Sequence, residues 1–168
     1  PISGTLAEAY LRNRGITGLR GTGSLRFHGS CYYLPDEVSE TEIWPALIAA
    51  VTNLDGRIVG VQRTWLDPDG FDVTRLGKAP IETPRRAMGD LLGYGVRFGL
   101  TDDVMAAGEG IETMLSLRCA LSDLPTVAAL SAAHLAAIQF PNTLRRLYIA
   151  RDDDEASDTA TTTLIDRA

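Results

Sequence analysis

Two apolar runs that end in acid limit what this chain can become more than any other feature. Val104 to Ala107 runs into Gly108-Glu109-Gly110-Ile111-Glu112-Thr113, and Leu147 to Ala150 runs through Arg151 into Asp152-Asp153-Asp154-Glu155. Each run has the length of a strand and is followed by residues of helical pattern. Between them Thr126-Val-Ala-Ala-Leu130 reads as a third strand, and Ser131 as the N-cap of a helix over 132–140. Strand, helix, strand, helix, strand at this spacing predicts a parallel sheet with right-handed crossovers, and such sheets place their ligands at the carboxyl ends of the strands. Glu109, Asp152 and Asp154 would meet at that edge. Carboxylates gathered there repel one another unless a cation lies among them, and a hard divalent ion with oxygen ligands, Mg2+ or Mn2+, suits the donor set. The alternative is that these acids stabilise helix N-termini, at roughly 0.3 to 1 kcal/mol each. That explains any one of them, but not three acids in a row after one strand and Gly-Glu-Gly after another.

The first hundred residues read differently. Thr5 to Arg14 forms a helix with Leu6, Ala9 and Tyr10 on one face, followed by a glycine-rich turn region that matches no phosphate-binding fingerprint. Short strands are expected at 24–28 and 31–34, and longer ones at 44–53 and 58–65 joined through the turn Leu54-Asp55-Gly56-Arg57. Asp67-Pro-Asp-Gly70 closes the last of these. Residues 74–100 then collect Arg75, Lys78, Arg85 and Arg86 among Gly and Pro with little acid, which makes this the most electropositive segment of the chain. It is expected to face phosphates, and its alternative is a solvated loop whose arginines pair with local acids.

The net charge of −6 argues at first against nucleic acid. Its distribution changes that reading. Residues 1–100 carry eleven Lys plus Arg against eleven Asp plus Glu, whereas residues 101–168 carry five against eleven, so the excess acid lies with the carboxylate motifs. No apolar run is long enough to span a bilayer and no signal peptide opens the chain, so a cytoplasmic protein with no membrane partner is expected. Cys31 and Cys119 have neither zinc-ligand nor disulfide-framework spacing and are expected as buried thiols. His28 and His134 stand alone, and His134 is read as packed or surface-facing rather than catalytic.

An apolar strand ending in Gly108-Glu109-Gly110, and some forty residues later another ending in Asp152-Asp153-Asp154, resembles the Toprim domain of DnaG-type primases, type IA and II topoisomerases and some nucleases. The resemblance implies an α/β fold, with a Rossmann-like parallel sheet over residues 101–168 preceded by a mixed α+β subdomain rich in antiparallel strands over residues 1–100. It implies that Glu109 acts in acid/base chemistry or helps hold the metal, and that Asp152 and Asp154 carry Mg2+. The chain departs from the family pattern at Ser157, where a glycine is common, and at Glu112, where primases place an acid one residue later. Ahead of the sheet, Gly60-Val-Gln-Arg63, Lys78, Pro80 to Thr83, Arg86 and Leu92-Gly93-Tyr94-Gly95 are similar to primase elements. Arg63, Lys78, Arg85 and Arg86 are accordingly expected to bind template or nucleotide.

The resemblance further implies a continuation beyond residue 168 with another strand and acidic pair, and primases of phages, plasmids and integrated elements that often stand beside a helicase. Three functions stay open at this point. They are a primase-type nucleotidyltransferase making RNA primers from nucleoside triphosphates on single-stranded DNA, a nuclease or topoisomerase-like enzyme, and a non-catalytic nucleic-acid or helicase adaptor.

Overall fold

In the computed structural model, residues 1–69, 77–100, 103–151 and 155–167 are described, apart from the side chains of 155, 156 and 167. The chain opens with helix α1 (Leu6–Asn13), whose buried face is Ala7, Tyr10 and Leu11 at helical spacing. Thr5 precedes it, but its hydroxyl donates to the Ile2 carbonyl at 2.6 Å instead of capping the helix. Four antiparallel strands follow in simple order: β1 (Leu25–Tyr33), β2 (Glu42–Thr52), β3 (Ile58–Trp65) and β4 (Arg85–Gly89).

The two short strands expected at 24–28 and 31–34 are one strand, β1, with a bulge between His28 and Cys31. Opposite the bulge stands Pro45 of β2, between Trp44 and Ala46, which pair with Cys31 and His28. The Pro45 carbonyl faces the other neighbour, accepting the Leu66 N–H at 2.8 Å. The β2–β3 turn closes as the sequence predicts. Gly56 takes a positive φ of 76°, and the Asn53 side-chain oxygen accepts the N–H groups of Asp55 and Arg57 at 3.1 and 2.9 Å.

The second sheet combines β5 (Val96–Phe98), β6 (Val104–Gly108), β7 (Thr126–Ala128) and β8 (Arg146–Ala150) in the order β5-β7-β6-β8. β6 lies between β7 and β8 and runs parallel to both, as the βαβαβ pattern predicts; β5 adds an antiparallel edge on β7. Helices α2 (Ile111–Ala120), α3 (Ala132–Ala137) and α4 (Glu155–Arg167) connect and cover it. Ser131 does cap α3, accepting the His134 N–H at 3.2 Å. The helix stops at Ala137, three residues short of the expected Phe140, because Ile138 turns to extended backbone ahead of Pro141.

Alternation along the parallel strands divides the core. Ala106 and Ala128 face a cluster shared with α1, α2 and the inner face of the first sheet, including Tyr10, Leu47 and Leu115. Met105, Ala107 and Val127 face the opposite cluster, under Leu135 and Ile138 and Leu164 of α4. β6 is thus buried on both faces, which is why it reads as an uninterrupted apolar run. A third, small cluster around Tyr33, Trp65 and Ala79 lies on the outer face of the first sheet. Cys119 is exposed and Cys31 half-buried, so neither is the buried thiol expected; α2 presents its last turn to solvent. Among the described residues no helix is long and apolar enough to cross a membrane.

Candidate functional site

The site begins where β6 stops. Gly108 pairs with Ala150, the last residue of β8, so both strands end at one sheet edge and Glu109 follows directly. A Cβ at Gly108 would stand 2.5 Å from Met114 Sδ and 2.9 Å from the Ala150 carbonyl oxygen, so only glycine lets α2 fold back this closely. The backbone at Glu109 is held from β7: the Gly108 carbonyl accepts the Ala129 N–H and the Glu109 carbonyl accepts the Leu130 N–H, each at 2.8 Å. Leu130 makes its bond from the left-handed region at φ 80°, a conformation that a leucine adopts only where its surroundings hold it there. Asp152 and Asp154 lie outside the described residues. Among the described residues no three His, Cys, Asp or Glu side chains are grouped closely enough to hold a metal.

One turn into α2, Glu112 enters a different set of interactions. Its side chain is 12% exposed and forms an ion pair with Arg85 of β4, whose side chain is 33% exposed. The same carboxylate oxygen, Oε1, accepts the Tyr10 hydroxyl of α1 at 2.6 Å. Burial pushes the Glu112 carboxyl up, but the Arg85 guanidinium and the Tyr10 hydroxyl outweigh it and hold the group below the ordinary carboxylate range. Burial and the Glu112 charge keep Tyr10 protonated well above the usual tyrosine value. Lys78 belongs to the same neighbourhood. Burial and then the positive charge of Arg85 lower it, Glu112 pulls it up, and Arg14 lowers it further. Arg14, just past α1, lies over the Tyr10 ring at 5.7 Å.

The four basic residues expected to bind nucleotide or template therefore divide between two faces. Arg85 pairs with Thr64 and points toward Glu112, with Lys78 nearby. Arg86, the next residue of β4, pairs across the sheet with Arg63 on the outer face. There Arg63 covers the Trp65 ring at 4.9 Å and Arg86 the Tyr33 ring at 4.6 Å. Arg86 also donates to the carbonyls of Leu34 and Pro35 at 2.6 and 3.1 Å. Tyr32, Leu34, Thr41, Arg63, Trp65 and Arg86 line a cleft there. Sequence reasoning did not identify Tyr10 or Arg14 with the site. Neither stands in a motif, and the Tyr10–Glu112 bond joins residues 102 positions apart.

A three-stranded parallel sheet with an acid directly after its central strand, packed on an antiparallel sheet, is the fold of a Toprim domain in a chain built like a primase catalytic core. Residues 104–168 match the Toprim domain family. Residues 1–98, more than half the chain, match the family described as domain of unknown function DUF7146, and the chain belongs to that family.

The structure is similar to the primase fragment of the bacteriophage T7 primase-helicase protein, with 14% identity and a TM-score of 0.58 over 91% of this chain and 58% of that one. It is similar to the E. coli primase catalytic core at 13% identity and a TM-score of 0.56, over 94% of this chain and 58% of that one. A DNA primase domain from Pseudomonas aeruginosa matches at 14% identity and a TM-score of 0.56, over 97% of this chain and 59% of that one. At these identities the likeness is one of fold, and the chain spans under two thirds of the length of each of these structures. Among curated proteins no sequence matches it.

Proposed function

We propose that this chain carries out metal-dependent nucleotidyl transfer of the primase kind, joining ribonucleotides into a primer on a single-stranded DNA template during replication. The observation that carries the reading is the ion pair between Arg85 and Glu112. It ties Arg85 of the first sheet to α2 one helical turn after Glu109, which supports a reading in which cations suited to a triphosphate act together with that carboxylate.

Glu109, Asp152 and Asp154 offer carboxylate oxygens, the donor type that Mg2+ and Mn2+ prefer, and these residues would hold the ion. When bound, the ion supplies charge neutralisation at the transferring phosphate. Glu109 would ligate the ion or accept the proton of the attacking hydroxyl. Lys78 and Arg85 bind the triphosphate of the incoming nucleotide, and Arg63 and Arg86 contact the template along the outer face. Working alongside a replicative helicase, separate or fused, belongs to the same proposal, as does a cytoplasmic setting.

The test is incorporation of labelled ribonucleoside triphosphates on single-stranded DNA with Mg2+ or Mn2+, beside Glu109→Gln and an Asp152→Asn, Asp154→Asn double variant. Primer synthesis in the natural protein that falls at least about 100-fold in both variants supports the reading. Cleavage of the strand without incorporation would replace it with a nuclease. Metal binding with neither activity would make the chain an adaptor.

A further inference from the structure

At the end of the second sheet opposite to Glu109, where β6 and β7 begin, lies an open cleft of about 760 Å³. Parallel sheets bind their ligands at the carboxyl ends of the strands, so a cleft at the amino ends is not placed for a substrate. Three large apolar side chains line it with much of their surface in water: Leu100 is 94% exposed, Leu121 51% and Tyr148 49%. Asp103 and Asp123, both exposed, line it as well, and among the described residues no Lys, Arg or His does. The nearby cations are engaged elsewhere. Arg118, in the last turn of α2, lies over the Phe98 ring at 6.0 Å. Arg145 and Arg146, whose N–H groups bond to the Asp103 carbonyl at 2.7 and 3.0 Å, line a different cleft with Phe140. Because α2 ends at the first cleft, through Ala120 and Leu121, the negative end of its dipole adds to the two carboxylates.

We propose that this cleft docks a cationic amphipathic helix of a partner protein, with Leu100, Leu121 and Tyr148 receiving its apolar face and Asp103 and Asp123 its lysines or arginines. Apolar side chains gathered in one cleft and rimmed by charge of a single sign mark a protein-interaction surface. A helix is the element that fits. Parallel sheets are covered by helices on both faces, and Tyr148, which pairs with Ala106 on the α2 side of the sheet, is left half open there. Charge selects a foreign partner over a second copy, since a copy carries the same net charge of −6 and the same acids at this end. The inference is independent of the proposed function, whose residues lie at the other end of the strands or on the first sheet.

The test is fluorescence anisotropy of the full chain with a labelled helical peptide of about 18 residues, five turns long, with Leu on one face and Lys on the other. A matched peptide carries Glu in place of Lys. The Lys peptide is expected to bind with salt-sensitive affinity and the Glu peptide not to bind. An Asp103→Asn, Asp123→Asn double variant and a Leu121→Ser, Tyr148→Ser double variant should each weaken the Lys peptide at least about tenfold. All four positions are exposed, so both variants should melt within a few degrees of the natural protein. Glu37→Gln with Glu40→Gln, on the exposed β1–β2 connection, makes the same change in net charge far from the cleft and should leave binding unchanged.

No binding by about 1 mM peptide, or equal binding of the Glu peptide, overturns the inference. So does an equal loss in the Glu37, Glu40 variant, which would reduce the effect to net charge. Sedimentation of the chain alone supplies the remaining arm. Self-association that the Asp103→Asn, Asp123→Asn variant abolishes would give the cleft to a second copy and overturn the choice of a foreign helix; a monomer at all concentrations agrees with it.

Discussion

Glu112 illustrates how the meaning of a residue depends on contacts far along the chain. By spacing it is an acid in the first turn of a helix, three residues past Glu109, and it reads as a helix-stabilising group or a displaced metal ligand. In the fold it binds Arg85 and Tyr10. Replacing it by Gln leaves a partly buried arginine without its counter-charge, and we expect a loss of about 2–3 kcal/mol, reduced from the fully buried case by the exposure of Arg85. The pH dependence has a definite sign. Because the folded-state carboxyl lies below its unfolded value, its contribution is fully present above the unfolded value of about 4.3 and disappears as pH falls through the lower, folded one. Urea midpoints of the natural protein and Glu112→Gln should therefore differ by the same amount at pH 7 and pH 5 and converge below about pH 4. A difference that persists into acid would mean that the Glu112 carboxylate charge is not what stabilises the pair.

At the same scale, Arg63 and Arg86 share an outer face. If that face meets the template, Arg63→Ala should weaken single-stranded DNA binding and lower the salt slope by about one counterion. Arg86→Ala will be less clean, since Arg86 also ties the β1–β2 connection through Leu34 and Pro35. Unchanged affinity in Arg63→Ala would remove that face as a template surface.

At the scale of elements, the junction of β6 and α2 depends on a side chain being absent. A methyl group at Gly108 meets Met114 Sδ and the Ala150 carbonyl, one a displaceable side chain and the other backbone of the neighbouring strand. Gly108→Ala should cost about 1–3 kcal/mol and shift the position of Glu109; if Glu109 holds the proposed ion, metal affinity should fall along with the melting temperature. Ser131→Ala, which removes the α3 cap, should cost about 1 kcal/mol with metal affinity retained. Thermal melts together with Mn2+ titration separate the two effects. Where elements departed from expectation, the cause was non-local. β1 is continuous because β2 pairs with it on both sides of its bulge, and β5 forms only because β7 presents an open edge to pair with. β4 emerges from a segment rich in Gly and Pro because β3 supplies its ladder. A three-residue strand such as β5 has no periodicity of its own to detect.

Across the whole molecule, one apolar cluster joins α1, the inner face of the first sheet, α2 and the second sheet. The Thr52–Gly95 bridge and the bond from Ser24 Oγ to the Arg97 carbonyl at 2.6 Å also cross between the sheets. Such a shared core predicts one cooperative unfolding transition. Trp44 and Trp65 lie in the first sheet, whereas α2, α3 and α4 flank the second. Tryptophan fluorescence and helical circular dichroism should therefore give coincident urea curves, and separated midpoints would show that the two sheets unfold independently.

The sequence alone carried the parallel pairing of β6, β7 and β8, the capping serine and the β2–β3 turn. Each of these is written in local periodicity or in residues a few positions apart, which is where strand and helix patterns and turn chemistry act. The placement of the cations was decided only by tertiary structure. Arg85 and Arg86 are neighbours in sequence and look equivalent there, yet the pleat of β4 sends one to Glu112 and the other to the opposite face. Which face is which depends on the register of β4 against β3 and on α1 and α2 packing over one side. No sum of local preferences contains that register, because it is fixed by the burial of apolar side chains contributed from the whole length of the chain.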